Sequence, residues 1–222
     1  MKATAFDPAV EAYHLNELRI AQDASAPGHL LPHIPATCKA VLDIGCGAGQ
    51  TLIASALPPG VTAWGVDPDA RALALGRGLT DRVNFASASG EYLPFADGTF
   101  DMVFSRVALP YMNIPAALAE ISRVLRPGGH LWLSLHPPAF AFRTMSQAIR
   151  AGSLRGTVFP VYTLVNAVSL RVANRQLLWP FGRRRYESVQ TASGMKHALE
   201  RARFRDVRIQ RGRFFVATAR QG

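Results

Sequence analysis

The sequence predicts an α/β fold, with a mostly parallel sheet covered by helices on both faces. Three observations predict it. Strand-like and helix-like segments alternate between residues 40 and 136. A short apolar run ends in a glycine-rich turn that opens a helix, and an acidic residue closes the next strand, 22 positions after the first glycine of that turn. At 222 residues the chain is near the upper end of one domain and can bury a full core.

The elements follow in order. Residues 7–22 read as a helix with Val10, Tyr13, Leu15, Leu18 and Ile20 as its apolar members. A connector with Pro27, Pro32 and Pro35 leads to a buried strand at 40–44. A helix over 50–56 stops at Pro58-Pro59-Gly60. Strand 61–66, helix 69–76, strands 83–86 and 101–105, helix 114–125 and strand 130–136 continue the alternation. Right-handed crossovers place the C-terminal ends of these strands on one edge. Residues 137–188 break the rhythm, being apolar, rich in arginine and interrupted by proline and glycine. A helix over 194–202 follows, and two strands at 207–210 and 214–219 flank Gly212 closely enough to pair antiparallel. One domain therefore has four parts: an N-terminal helical lid (1–39), a core (40–136), a mostly helical insertion (137–190), and a closing helix with two strands (191–222).

Composition narrows the function classes. No stretch reaches the ~20 apolar residues of a membrane-spanning helix, and residues 1–10 lack the apolar segment of a secretory signal. The expected location is cytoplasmic. The two cysteines, Cys38 and Cys46, cannot build a disulfide framework, and the six scattered histidines give no metal-ligand spacing, so no metal is expected. The net charge of +10 is uneven: residues 1–138 carry 9 basic and 12 acidic side chains, residues 139–222 carry 16 and 3. Such asymmetry suits an anionic partner, but 22 arginines against 3 lysines also fit plain compositional bias.

The strongest signal is Val41-Leu42-Asp43-Ile44-Gly45-Cys46-Gly47-Ala48-Gly49. Glycine permits positive φ and close approach of a ligand to the backbone. The helix it opens presents free N–H groups. Asp67 ends the next strand, where a carboxylate accepts both hydroxyls of an adenosine ribose. Dinucleotide sites favour GxGxxG, yet position 50 is Gln. A sulfonium amino acid needs no pyrophosphate cradle. It needs an acceptor for its ammonium, which the backbone at Gly45 with nearby Asp43 could supply.

That nonapeptide resembles the first motif of class I S-adenosylmethionine-dependent methyltransferases. Val66-Asp67-Pro68-Asp69 is similar to their second motif, residues 89–101 to the segment around adenine, and Leu125-Arg126-Pro127-Gly128-Gly129-His130-Leu131 to the turn before strand five. The group is the one typified by ubiquinone and menaquinone biosynthesis enzymes. The resemblance spans about residues 40–136 and implies a Rossmann-like methyltransferase fold, with seven strands, the last antiparallel, and S-adenosyl-L-methionine as cofactor. It places Asp67 and Pro68 at the ribose, Gly45, Cys46, Gly47 and Gly49 under the methionine part, and Ser89, Gly90 and Glu91 at adenine. Ser89 stands where many members carry Asp. Cys46 is expected to pack without a redox role. Ser105 and Arg106, following strand four, are expected to line the cofactor.

Methyl transfer asks the protein mainly to align and desolvate a nucleophile. His136, at the ligand edge, is the candidate base. Tyr13 and Tyr111 are candidate substrate contacts, and Tyr13 and Arg19 lie on a helix that could lid the site. The uncharged stretch 156–170, flanked by Arg155 and Arg171, suits the wall of an apolar pocket. It suits equally a membrane-interface segment beside Arg183-Arg184-Arg185. The expected acceptor is a small apolar or aromatic molecule. Three alternatives compete. A nicotinamide-dependent oxidoreductase calls for GxGxxG and a Tyr-x-x-x-Lys relay. A non-catalytic S-adenosylmethionine-binding protein would lack turnover. An RNA methyltransferase would interleave aromatics with the basic cluster.

Overall fold

The computed structural model describes residues 8–152, 154–180 and 185–222. Expectations placed on residues 1–7, on Arg183 and Arg184, and on the Arg155 side chain lie outside what is described. Seven strands form one sheet in the order β3-β2-β1-β4-β5-β7-β6. They are β1 (Ala40–Ile44), β2 (Thr62–Asp67), β3 (Val83–Ser87), β4 (Phe100–Arg106), β5 (Leu125–Leu135), β6 (Phe204–Arg211) and β7 (Phe215–Gln221). Six run parallel, and β7 lies antiparallel between β5 and β6. This is the Rossmann-like arrangement that the alternation predicts.

The sheet is buried on both faces, so its central strands are apolar throughout rather than alternating. Val41 and Leu42, neighbours on β1, belong to opposite layers. Leu42 joins Val103, Leu118 and Ile121 on the side of α4 (Ile114–Val124) and α7 (Ala192–Arg201). Val41 joins Leu52, Leu73 and Phe104 on the side of α2 (Gln50–Ala54) and α3 (Ala70–Leu79). The first helix, α1 (Pro8–Gln22), packs on α2 above the ligand edge.

Several boundaries differ from expectation for local reasons. Helix α2 stops at Ala54 because Ser55 is extended, and Leu57, ahead of Pro58, is steered from helical ψ. Helix α3 runs past Gly76 to Leu79. Gly76 is there for packing: a Cβ would lie 2.7 Å from the Phe85 ring. Strand β5 begins at Leu125 rather than 130, since Leu125 pairs with Phe100 before a register shift. Strand β6 begins at Phe204 and carries an irregularity between Arg205 and Arg208, with Asp206 at φ 53.

The insertion comprises α5 (Pro138–Arg150) and α6 (Leu154–Ala173), followed by an irregular return. Polar clasps fix that return. The buried Asn166 amide accepts from the Leu177 N–H and donates to the Leu177 and Glu187 carbonyls. The Tyr162 hydroxyl donates to the carbonyls of Leu177 and Arg185. The Gln190 N–H donates to the His136 carbonyl at 2.8 Å, docking the insertion on the end of β5.

Candidate functional site

The ends of β1, β2 and β4 converge on one edge, as the parallel order requires. The glycine turn follows β1, with Gly45, Gly47 and Gly49 at φ 72, 56 and 80. L-residues rarely adopt these angles. A Cβ at Gly45 would sit 2.1 Å from that of Ala108, and one at Gly47 would meet His14 and Gln50 at 3.0 Å. The Gly47 N–H donates to Asp67 Oδ2 at 2.9 Å, and the Asp69 N–H donates to Asp67 Oδ1 at 2.8 Å. Asp67 thus shapes the turn and keeps unused lone pairs on both oxygens.

A cavity of about 470 Å³ opens over this turn. Of the predicted site residues, Gly45, Cys46, Gly47, Asp67, Arg106, Tyr13 and Tyr111 line it. Cys46 is buried, which pushes its thiol well up, and it packs against Gly65. Arg106 reaches from the end of β4 to Glu17 on α1, at 2.9 Å. His14 Nδ1 lies 2.8 Å from Gln50 Nε2. Helix α1 is therefore fastened over the cavity at two points.

Other predicted residues do not line this cavity. Asp43 is sealed beneath the turn at 1% exposure, its Oδ1 without a hydrogen-bond partner among the described residues. Burial raises its carboxyl to about 8 against the pull of Arg106, so it is a neutral acid at neutral pH. It cannot be the exposed ammonium acceptor expected of it. Ser105 is fully buried, and its hydroxyl donates to the Ile44 carbonyl, joining β4 to β1 instead of facing a ligand. Gly49 packs on the Phe85 ring and serves as the N-cap of α2. Pro68 lies outside the lining. So do Ser89, Gly90 and Glu91. Ser89 bridges to Tyr92, the Glu91 carboxylate accepts from the Asn113 N–H, and the Met112 side chain covers Gly90.

Glu17, His14, Gln50 and Thr51 line the cavity unforeseen. Gln50 had a signal, since it stands where a dinucleotide site would have glycine. Glu17 had none, because its role depends on how α1 docks.

His136, just beyond β5, lines a second and largely apolar cavity of about 320 Å³ between α5, α6 and residues 187–189. Its ring stacks on Phe140 with centroids 4.7 Å apart, and its Nε2 lies 3.2 Å from the Tyr111 hydroxyl. Burial lowers the pKa of the imidazole, keeping it neutral. Tyr111 lines the first cavity and His136 the second, so this contact joins the two linings.

The residues present fit an adenosyl amino acid. The turn would be filled by any Cβ, a carboxylate stands on the neighbouring strand, and an arginine lies opposite it. Comparison with known proteins agrees. Residues 42–133 match the methyltransferase domain family. Over 98 residues the chain is 37% identical to the methyltransferase GfsG of Streptomyces halstedii, covering 41% of this chain and 35% of that protein. It is 37% identical over 116 residues to the malonyl-[acyl-carrier protein] O-methyltransferase of Herminiimonas arsenicoxydans, covering 51% and 42%. The matches thus span less than half of these curated relatives. An S-adenosylmethionine-dependent methyltransferase from Methanosarcina mazei shares the fold, with TM-score 0.57, 18% identity and coverage of 86% and 99%. So does human N-acetylserotonin methyltransferase, solved with S-adenosylmethionine, with TM-score 0.54, 14% identity and coverage of 96% and 54%. Residues 42–133 thus carry the pattern of a methyltransferase domain, on a fold shared with these enzymes.

Proposed function

We propose that this protein transfers a methyl group from S-adenosylmethionine to a small apolar or aromatic acceptor held in the second cavity. The carrying observation is the Tyr111–His136 contact, which sets an apolar chamber directly beside the cofactor cavity. The cofactor supplies an electrophilic methyl on a sulfonium. Asp67 grips the ribose with its unused lone pairs, and the turn from Gly45 to Gly47 meets the methionine portion. Arg106, the one arginine lining the cavity among the described residues, meets the carboxylate end. Segment 89–91 reaches adenine only when Met112 withdraws from Gly90. Tyr13 and α1 close the cavity against water. Neutral His136 takes the acceptor's proton while Tyr111 orients its ring. The four motifs between residues 41 and 131 support kinship with the ubiquinone and menaquinone group.

Calorimetry with S-adenosylhomocysteine, the demethylated cofactor, tests the first half. Micromolar binding is expected, and absence of binding with uptake of NADH instead overturns it. Turnover of any acceptor separates an enzyme from a binding protein.

One observation favours a second reading, peripheral contact with an anionic membrane. Val158, Val161, Val165, Val168 and Val172 form an exposed stripe along α6, near Arg171 and Arg175. Flotation with phosphatidylglycerol vesicles at low salt tests it, and protein left at the bottom rejects it. No helix among the described residues is long and apolar enough to cross a membrane.

A further inference from the structure

The second cavity has one feature that an apolar chamber does not need. Glu187 lines it, with its side chain only 13% exposed. Among the described residues, the hydroxyls on the wall are already engaged. Thr144 donates to the Phe140 and Ala141 carbonyls, and Thr163 to the Pro160 carbonyl. The Ser188 hydroxyl accepts from the side-chain amides of Gln176 and Gln190. The Glu187 carboxylate has no hydrogen bond among the described residues. Its one ionic neighbour there is Arg185, 3.6 Å away and 54% exposed. At that distance and exposure a guanidinium compensates little. Burial accordingly pushes the Glu187 carboxyl up, overriding the opposing pull of Arg185. Leaving an acid in such surroundings is costly unless something pairs with it.

Phe140 and Phe159 line the cavity with His136. The Arg185 guanidinium lies 4.7 Å from the centroid of Phe159, and that of Arg143 lies 5.6 Å from Phe140. The protein's own arginines thus take up these rings, and recognition of a ligand charge falls to Glu187. Burial pushes the Tyr111 phenol up, and the negative charge of Glu187 adds to that shift.

Building on the methyl-transfer reading, we propose that the acceptor is an amine on an aromatic or apolar body, recognised as its ammonium by Glu187. The cavity, at the small end of ligand sites, fits one ring with a short side chain. A hydroxyl would satisfy one acceptor lone pair, whereas an ammonium also supplies the missing countercharge. Before attack, the ammonium gives one proton to neutral His136. The nitrogen lone pair then forms the N–CH₃ bond as the S–CH₃ bond breaks, its electron pair remaining on sulfur. The product is an N-methylammonium, which carries the positive charge that the sulfonium loses.

The test uses the full chain saturated with S-adenosylhomocysteine and calorimetric titration with 2-phenylethylamine and its neutral counterpart 2-phenylethanol. The amine is expected to bind about tenfold or more tighter. Glu187→Gln should shrink that preference to about threefold or less, and Glu187→Asp should fall between. Unchanged affinity of each variant for S-adenosylhomocysteine shows that the fold and the donor site persist. Equal binding of amine and alcohol, preference for the alcohol, binding of neither, or a preference that survives Glu187→Gln would each overturn the amine assignment. Failure of S-adenosylhomocysteine to bind the wild type would instead strike the methyl-transfer reading itself. With S-adenosylmethionine present, an amine product heavier by one methyl group supports the proposal.

Discussion

Arg106 and Glu17, 89 positions apart in sequence, meet at 2.9 Å across the mouth of the cofactor cavity. The pair ties the end of β4 to the first helix, and both side chains are mostly shielded from water. Glu17 holds the guanidinium at the place where a ligand carboxylate would be received. Arg106→Met should therefore weaken S-adenosylhomocysteine by about 1.5–3 kcal/mol, the scale of a charge-assisted hydrogen bond. It should leave 5′-methylthioadenosine, which has no amino-acid tail, nearly unchanged. Parallel titrations of the two nucleosides measure the difference, and equal losses would place Arg106 away from the carboxylate.

Asp67 carries two loads, holding the Gly47 and Asp69 N–H groups and offering lone pairs to a ribose. Asp67→Ala should cost about 1–3 kcal/mol of S-adenosylhomocysteine affinity. It should also lower the melting temperature of the free protein. Unchanged affinity would remove Asp67 from the site.

Gly45 combines φ 72 with a neighbour 2.1 Å from where a Cβ would lie. Gly45→Ala brings about 1–2 kcal/mol of left-handed backbone strain and forces Ala108 aside. Thermal unfolding should shift down, and calorimetry should show S-adenosylhomocysteine binding lost or severely weakened. A stable variant that binds normally would mean that the turn is looser than its contacts imply.

Asp43 links pH to stability. Its carboxyl, raised to about 8 by burial, stays protonated in the folded chain while the unfolded chain ionises near pH 4. Between those values the unfolded state binds fewer protons, so stability falls as pH rises from about 4 to about 8 and levels off above. Asp43→Asn should flatten that slope in urea titrations. A slope identical to wild type would show that other groups produce it.

His136 is buried and held neutral, so the rate should decline only below the ordinary imidazole range near 6.5. His136→Gln should reduce kcat by about 10²–10⁴-fold, the usual contribution of a positioned base, with S-adenosylhomocysteine affinity unchanged. A wild-type rate in that variant would leave His136 a wall residue only.

The sheet was legible because its signal is local. Val41, Leu42 and Ile44 form an apolar run, and glycines with obligatory positive φ end it. Asp67 was legible for the same reason, as its place follows from strand length. Asp43 and Ser105 misled because their positions beside the site said nothing of side-chain direction, and both turn into the sheet. Glu17 and Glu187 were illegible. Each takes its setting from parts far away in sequence, Arg106 for one and the walls of α5 and α6 for the other, and no periodicity encodes such a meeting.

The thioether of Met112 bridges the two glycines a nucleoside would need, its sulfur 2.6 Å from a Cβ built on Gly90 and its methyl 3.6 Å from one on Gly45. Methionine is unbranched and swings readily. A base entering beside Gly90 would have to push this one supple side chain from its berth, whereas the sugar would meet a carboxylate already held by two backbone N–H groups.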